Sequence, residues 1–316
     1  MYKKVSSMSN FSKGAVYAVI SAIGYGIMPI FTVKAYEHGV TVYTLLFLRF
    51  ALSSVIFFSF FLFRGINIKI GKQDIKNLFL LGGVLFTLLS IFHFESIKYI
   101  SSSMAVLLLY CFPLLVCIIS YFLYKEKLNI GSMISLVAAF ISMIYLLGVS
   151  LDKMNIYGVV LSLLAALVFA IYMIVGKKVT INNSPVIISA YTTLFAGMGV
   201  FTFGLVKQEI SFDFNAHAWL YIACMVFLST IIAEIAFFKS LELLSSSNVS
   251  MISMVEPVFT SVFALVFLNE RLHFSQITGG FFLLISLTIL IYFQNKTVTS
   301  QEIKEDMIQN EHILTK

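Results

Sequence analysis

Charge is what this 316-residue chain has least of. Asp, Glu, Lys and Arg make up 11% of it, against 59% hydrophobic and 15% aromatic residues. A soluble domain carries about a quarter charged residues, so water is not the main solvent here and the chain falls in the membrane class. Cysteine is scarce too. Cys111, Cys117 and Cys224 lie inside apolar runs with no ligand spacing, which excludes a disulfide scaffold or a metal cluster and leaves small packing residues. Long polar connections are missing: even 64–76 and 207–217 are too short to hold a further domain. No phosphate loop, nucleophile motif or cofactor signature is found, so no cofactor or metal is expected. The net charge of +6 is not a nucleic-acid footprint, because the basic residues sit in short loops between apolar runs, where membrane topology explains them.

What is present is a series of apolar runs, each close to the roughly 20 residues a spanning helix needs. They cover 14–33, 43–63, 77–97, 101–124, 130–148, 156–176, 185–206, 218–238, 245–268 and 275–293. Lys3, Lys4 and Lys13 before the first run have the flavour of a signal peptide, but no small-residue cleavage site follows, so the run reads as a retained helix. Residues 1–13 form an N-terminal tail and the polar stretch 294–316 a solvated C-terminal one. With the N-terminus in the cytoplasm, the inner segments hold 15 Lys and Arg and the outer loops five, Lys34, Lys98, Lys153, Lys207 and Arg271, with Arg49 left inside a helix. Both termini are therefore expected in the cytoplasm of a multi-pass cell-membrane protein.

An internal repeat organises the chain. Pro113 and Pro257 lie 144 residues apart, and so do Glu126 and Glu270, Phe94 and Phe238, and the triplets starting at Ser101 and Ser245. Gly14, Ala18, Ala22 and Gly26 correspond to Gly158, Ser162, Ala166 and Ala170, a smooth stripe that lets neighbouring helices approach closely. Five helices per half is an odd number, so the second half enters the membrane from the opposite side. Loop charge agrees: Arg64, Lys69, Lys72 and Lys76 crowd one loop, and its counterpart keeps only Lys207 beside Glu209 and Asp213. The fold class expected is an all-α polytopic membrane protein of ten transmembrane helices, two inverted five-helix repeats over 14–148 and 156–293, an architecture suited to alternating access.

The segments Cys111–Leu128 (CFPLLVCIISYFLYKEKL) and Val255–Leu272 (VEPVFTSVFALVFLNERL) resemble the drug/metabolite transporter superfamily, in its EamA-type branch. That pattern has a proline inside the fourth helix of each repeat and a Gly/Asn-Glu-Lys/Arg-Leu ending. Arg49, in LFLRFALSS, is similar to the arginine of the family's second helix. Lys125 departs from the pattern, standing where a small residue is usual. The resemblance covers about 14–293 and implies a secondary transporter, commonly an exporter of amino acids or related metabolites, without ATP hydrolysis. A polytopic membrane enzyme and a channel are the rival classes, and an enzyme would need a catalytic constellation that is not found.

Ionisable groups inside a bilayer are expensive and default to functional candidates. Glu256, beside Pro257 in the ninth helix, is the first: a proline removes a backbone donor and loosens the helix, and the acid would bind a substrate amine or cycle a proton. Asn248, Ile252, Glu256 and Thr260 at four-residue spacing suggest one polar cavity-lining face. Arg49 would meet a substrate carboxylate through its planar fork, or serve structure through an internal ion pair or a link to backbone carbonyls. His93 would gate access, or be satisfied by a neighbour. Glu234 is expected one turn from the cytoplasmic end of the eighth helix, snorkelling or paired with Lys239. Tyr25, Tyr110 and Tyr172 fall on the helices that the resemblance places around the cavity. Ser101–Ser103 and Ser245–Ser247 read as helix caps, Glu126–Lys127 and Glu270–Arg271 as structural pairs at helix C-termini, and Gly279–Gly280 as a homodimer contact. The expected partners are a small-molecule substrate, the lipid bilayer and protons; an arginine with a glutamate suits a zwitterion, so an amino acid comes first.

Overall fold

Ten helices long and apolar enough to cross a membrane make up the structure, a computed structural model. It describes residues 10–66, 68, 70–125, 129–148, 155–268 and 273–293. The helices are α1 (Asn10–Glu37), α2 (Val42–Arg64), α3 (Lys72–Ser96), α4 (Ser103–Tyr124), α5 (Ile130–Leu147), α6 (Ile156–Val179), α7 (Pro185–Val206), α8 (Ala218–Leu243), α9 (Ser246–Phe267) and α10 (Phe274–Phe293). Glu126–Lys127, Glu270–Arg271, residues 1–9 of the N-terminal tail and the tail 294–316 lie outside the described residues. Apolar side chains of α4, α5 and α10 point outward, as lipid-facing surfaces must, with Phe122, Ile134 and Phe281 all more than half exposed.

The two halves pack as inverted copies. Helix α1 lies against α8 and α9 of the second repeat, and its counterpart α6 lies against α3 and α4 of the first. The stripes of small residues make this possible, because Gly14, Ala18, Ala22 and Gly26 are buried and so are Gly158, Ser162, Ala166 and Ala170. A side chain at Gly14 would collide with Leu244, and one at Gly158 with Ile100; both pairs are related by the 144-residue offset. Helices α2 and α7 pack on each other.

Local detail follows the same offset. Ser101 Oγ accepts from the Met104 amide at 3.3 Å and Ser245 Oγ from the Asn248 amide at 3.4 Å, so both triplets do cap their helices. Lys98 bonds Glu95 at 3.0 Å near one face, and Lys239 bonds Glu242 at 2.6 Å near the other. These are matching positions with the charges exchanged. Glu95 raises the Lys98 ammonium above its ordinary value through that hydrogen bond.

One sequence expectation changes, and one departure from the family pattern gains a physical meaning. Gly279 and Gly280 pack inward on Leu146 of α5, which leaves them unavailable as a face for a second copy. Lys125 closes α4 in the left-handed region at φ 54°, where Gly65 closes α2 at φ 61° and Gly148 closes α5 at φ 56°. A lysine there bears a Cβ penalty that glycine escapes. Lys125→Gly is therefore expected to stabilise the protein by about 0.5–1 kcal/mol. Gly82→Ala, whose Cβ would strike the Thr192 backbone, is expected to destabilise it by about 1–3 kcal/mol. Thermal unfolding in detergent checks both, as a rise and a fall in Tm.

Candidate functional site

Regular helix fails at four places that face one another. Helix α1 divides at Ile27 into Asn10–Gly26 and Met28–Glu37, with Pro29 in the first turn of the second piece. Helix α4 divides at Tyr110–Cys111 ahead of Pro113, and α9 at Met254–Val255 ahead of Pro257. The last two breaks are repeat-related, and each is bridged by a tightened bond, Cys111 N–H to the Leu108 carbonyl and Val255 N–H to the Ile252 carbonyl, both 3.1 Å. Helix α3 widens to a π-helix over Leu80–Phe86. Non-helical backbone at membrane depth is tolerated where it is buried in protein or lines a wet cavity, and here it borders a cavity of about 440 Å³.

The cavity opens at the face where α1, α3, α5 and α9 end, past Val33, Phe94, Leu147 and Leu268. Toward the opposite face it is closed by a packed floor that includes the fully buried Leu78, Leu81, Met173, Phe238 and Leu241. Its walls come from both repeats, and four pairs of repeat-related positions line it: Tyr25 with Phe169, Met28 with Tyr172, His93 with Phe237, and Phe112 with Glu256. Position is conserved between the copies and chemistry is not, so one acid, one imidazole and several rings surround the same space.

The structure brings Glu256, Arg49, His93, Tyr25, Tyr110 and Tyr172 together on this wall. Tyr110 and Glu256 share one stretch of this wall, at the repeat-related breaks of α4 and α9. His93 Nδ1 has no hydrogen-bond partner. Arg49 is 4% exposed; its Nε donates to Thr230 Oγ1 at 2.7 Å, one Nη to the Ser229 carbonyl at 3.2 Å, and the other to Met28 Sδ at 2.9 Å. Thr230 and Ser229 belong to a second π-helix, Phe227–Ile232 of α8, whose shifted ladder makes its groups available.

Two expectations fail. Glu234 does not snorkel: α8 runs on to Leu243, and the side chain is 0% exposed with neither oxygen hydrogen-bonded. Lys239 pairs with Glu242 instead. Asn248 is 8% exposed and off the cavity wall, because the break at Met254–Val255 resets the helical phase; Glu256 and Thr260 line the wall and Ile252 does not. The sequence reading also missed the ring wall. Phe86 stacks on Tyr172 at 5.2 Å, Tyr172 on Phe237 at 5.9 Å, and Phe112 meets Phe169 at 4.4 Å. Pairing by the repeat offset was the signal that could have found Phe169 and Phe237.

The sequence pattern of the EamA-like transporter family matches residues 12–148 and again 156–292. The chain belongs to that family. It is 30% identical over 199 residues to the uncharacterized transporter YxxF of Bacillus subtilis, a match that spans 60% of this chain and 61% of that protein. It is 22% identical over 284 residues to the uncharacterized transporter YcbK of the same species, spanning 87% and 91%. An uncharacterized transporter of Archaeoglobus fulgidus is 26% identical over 199 residues, spanning 63% and 69%. A solved crystal structure superposes with a TM-score of 0.77 at 15% identity over 88% of this chain and 96% of that one, which supports the fold.

In this EamA-like transporter, Arg49 ties α2 to α8 and to the break in α1 through one planar group. A lysine reaches one such partner at a time. Arg49→Lys is expected to cost about 2–3 kcal/mol, the scale of lost charged hydrogen bonds, whereas Arg64→Lys at the exposed end of α2 is expected to be nearly neutral. Comparing the two Tm values in detergent checks this.

Proposed function

We propose that this protein is a secondary carrier that exports a small organic metabolite, first of all an amino acid, by alternating access to the cavity between its repeats. The observation that carries the reading is a cavity of about 440 Å³, open at one face, floored at the other, and walled by residues of both inverted repeats. A floor disfavours a channel, and inverted repeats around a midplane site favour rocking of one half against the other.

The chemistry of the wall supports an amine-bearing solute. Glu256 offers an acceptor for an ammonium group in a charge-assisted hydrogen bond, with Tyr110 on the same wall. Tyr172, Phe86, Phe169 and Phe237 supply apolar surface and ring faces that attract a cation or pack a side chain. Three of the five donors of Arg49 are directed at Thr230, Ser229 and Met28, which leaves two for a substrate carboxylate. With the lysine-rich segments and both termini in the cytoplasm of a cell-membrane protein, the cavity faces outward. Export is the direction that the resemblance to EamA-type transporters implies.

The test is uptake of a mixed pool of labelled amino acids into proteoliposomes, wild type beside Glu256→Gln. Saturable uptake by the wild type, reduced at least about tenfold in the variant, is expected. Wild-type vesicles that move no amino acid while moving another metabolite would sink the substrate assignment, and uptake that rises linearly without saturating would contradict a carrier.

A further inference from the structure

Glu234 has no place in the wall just described. It lies 16 residues into α8 and nine from its end, so it sits at mid-membrane depth. It is fully buried, and neither carboxyl oxygen has a hydrogen-bond partner. Burying an ionised carboxylate without a donor or a cation costs far more than burying the neutral acid, so the packing of this conformation accommodates the neutral form.

The surroundings supply a second form. Thr230, which holds Arg49 Nε at 2.7 Å, is one helical turn before Glu234 on the same helix, where residues four apart are neighbours. The titratable groups that act on Glu234 or feel its charge are Arg49 from α2, Tyr25 from α1 and Tyr172 from α6. Helix α9 brings Glu256, which acts on the same Tyr25 and Arg49. Helix α7 brings no group that acts on Glu234 among the described residues. Tyr25 and Tyr172 both line the cavity and both feel the charge of Glu234, so they connect the wall to the buried acid. One guanidinium thus serves two carboxyls at similar depth, and it is anchored on a π-helix, a device that can change register by small steps.

We propose that Glu234 is a proton-binding site that couples solute movement to a proton gradient. A proton from cavity water binds the Glu234 carboxylate as the guanidinium engages Thr230 and Ser229, the arrangement seen here. In the other conformation the guanidinium moves one turn along α8 to pair with the ionised carboxylate, and the proton leaves to the opposite side. Nothing is oxidised or reduced; one O–H bond forms on one side and breaks on the other.

The proposal rests on the carrier reading, and two measurements separate them. In proteoliposomes, counterflow of the labelled amino-acid pool at equal pH reports the carrier, and stimulation of uptake by an imposed pH gradient reports coupling. Glu234→Gln is expected to keep counterflow within about twofold of wild type and to lose the pH-gradient stimulation. Stimulation that persists in the variant, a wild type that counterflows but ignores the gradient, or a variant that loses counterflow as well would each overturn it. Should the wild type show no counterflow, the amino-acid reading fails alone, and infrared spectroscopy decides on Glu234. A pH-dependent carbonyl band of a neutral carboxylic acid, present in wild type and Glu256→Gln and lost in Glu234→Gln, supports the site; a band unchanged in Glu234→Gln overturns it. Should Glu234→Gln not fold, Glu234→Asp is used, with stimulation retained over a displaced pH range expected and full indifference to pH the contrary result.

Discussion

Backbone groups that leave a helix inside a bilayer find no water to replace the lost bonds, unless protein or a wet cavity supplies partners. The whole arrangement depends on that constraint. The divisions of α1, α4 and α9 and the π-helix of α3 all border one cavity. The second π-helix, in α8, is bound by the Arg49 guanidinium, which takes up the Ser229 carbonyl and the Thr230 hydroxyl. Irregularity is concentrated where it can be solvated, and the rest of each span remains plain helix with its apolar side chains toward lipid. Arg49 is in that sense a structural cation first: it joins α1, α2 and α8 around the weak points of two of them.

The inverted repeat then explains why the site lies where it does. Close packing of α1 on α8 and of α6 on α3, permitted by two stripes of small residues, brings the breaks of both halves to the same level. Four pairs of cavity positions are counterparts from the two halves. The ionisable groups break the symmetry: the arginine and histidine belong to the first repeat and both mid-membrane acids to the second. The scaffold is symmetric, and the set of side chains around its cavity is not.

Much of the fold was legible in the sequence because it rests on length and periodicity. Ten runs of about 20 apolar residues could only be spanning helices, and a constant offset through the loops could only be a duplication. The serine caps at Ser101 and Ser245 and the breaks at Pro113 and Pro257 were readable, since each depends on a local residue type. Pro29 broke α1 unannounced. Glu234 and Asn248 were misplaced for related reasons. The apolar run of α8 stops at 238, before Lys239, yet the helix continues to Leu243 with an i,i+3 ion pair between Lys239 and Glu242, which draws Glu234 into the middle. The four-residue face through Asn248 assumed an unbroken α9, although the Pro257 that makes Glu256 interesting is what resets its phase. Which rings of 32 Phe and 15 Tyr would form the cavity wall was not readable from composition, because nearly every helix face here is apolar.

The claim on which the rest stands is that the cavity between the repeats is reached from each side of the membrane in turn. Ser261 lines it one turn beyond Pro257, so Ser261→Cys in a background without Cys111, Cys117 and Cys224 places a reporter on the wall. Membrane-impermeant thiol labelling from each face separately, with and without the amino-acid pool, is the direct measurement. The account predicts labelling from both faces, with solute shifting the balance between them. Labelling from one face alone under every condition would contradict it.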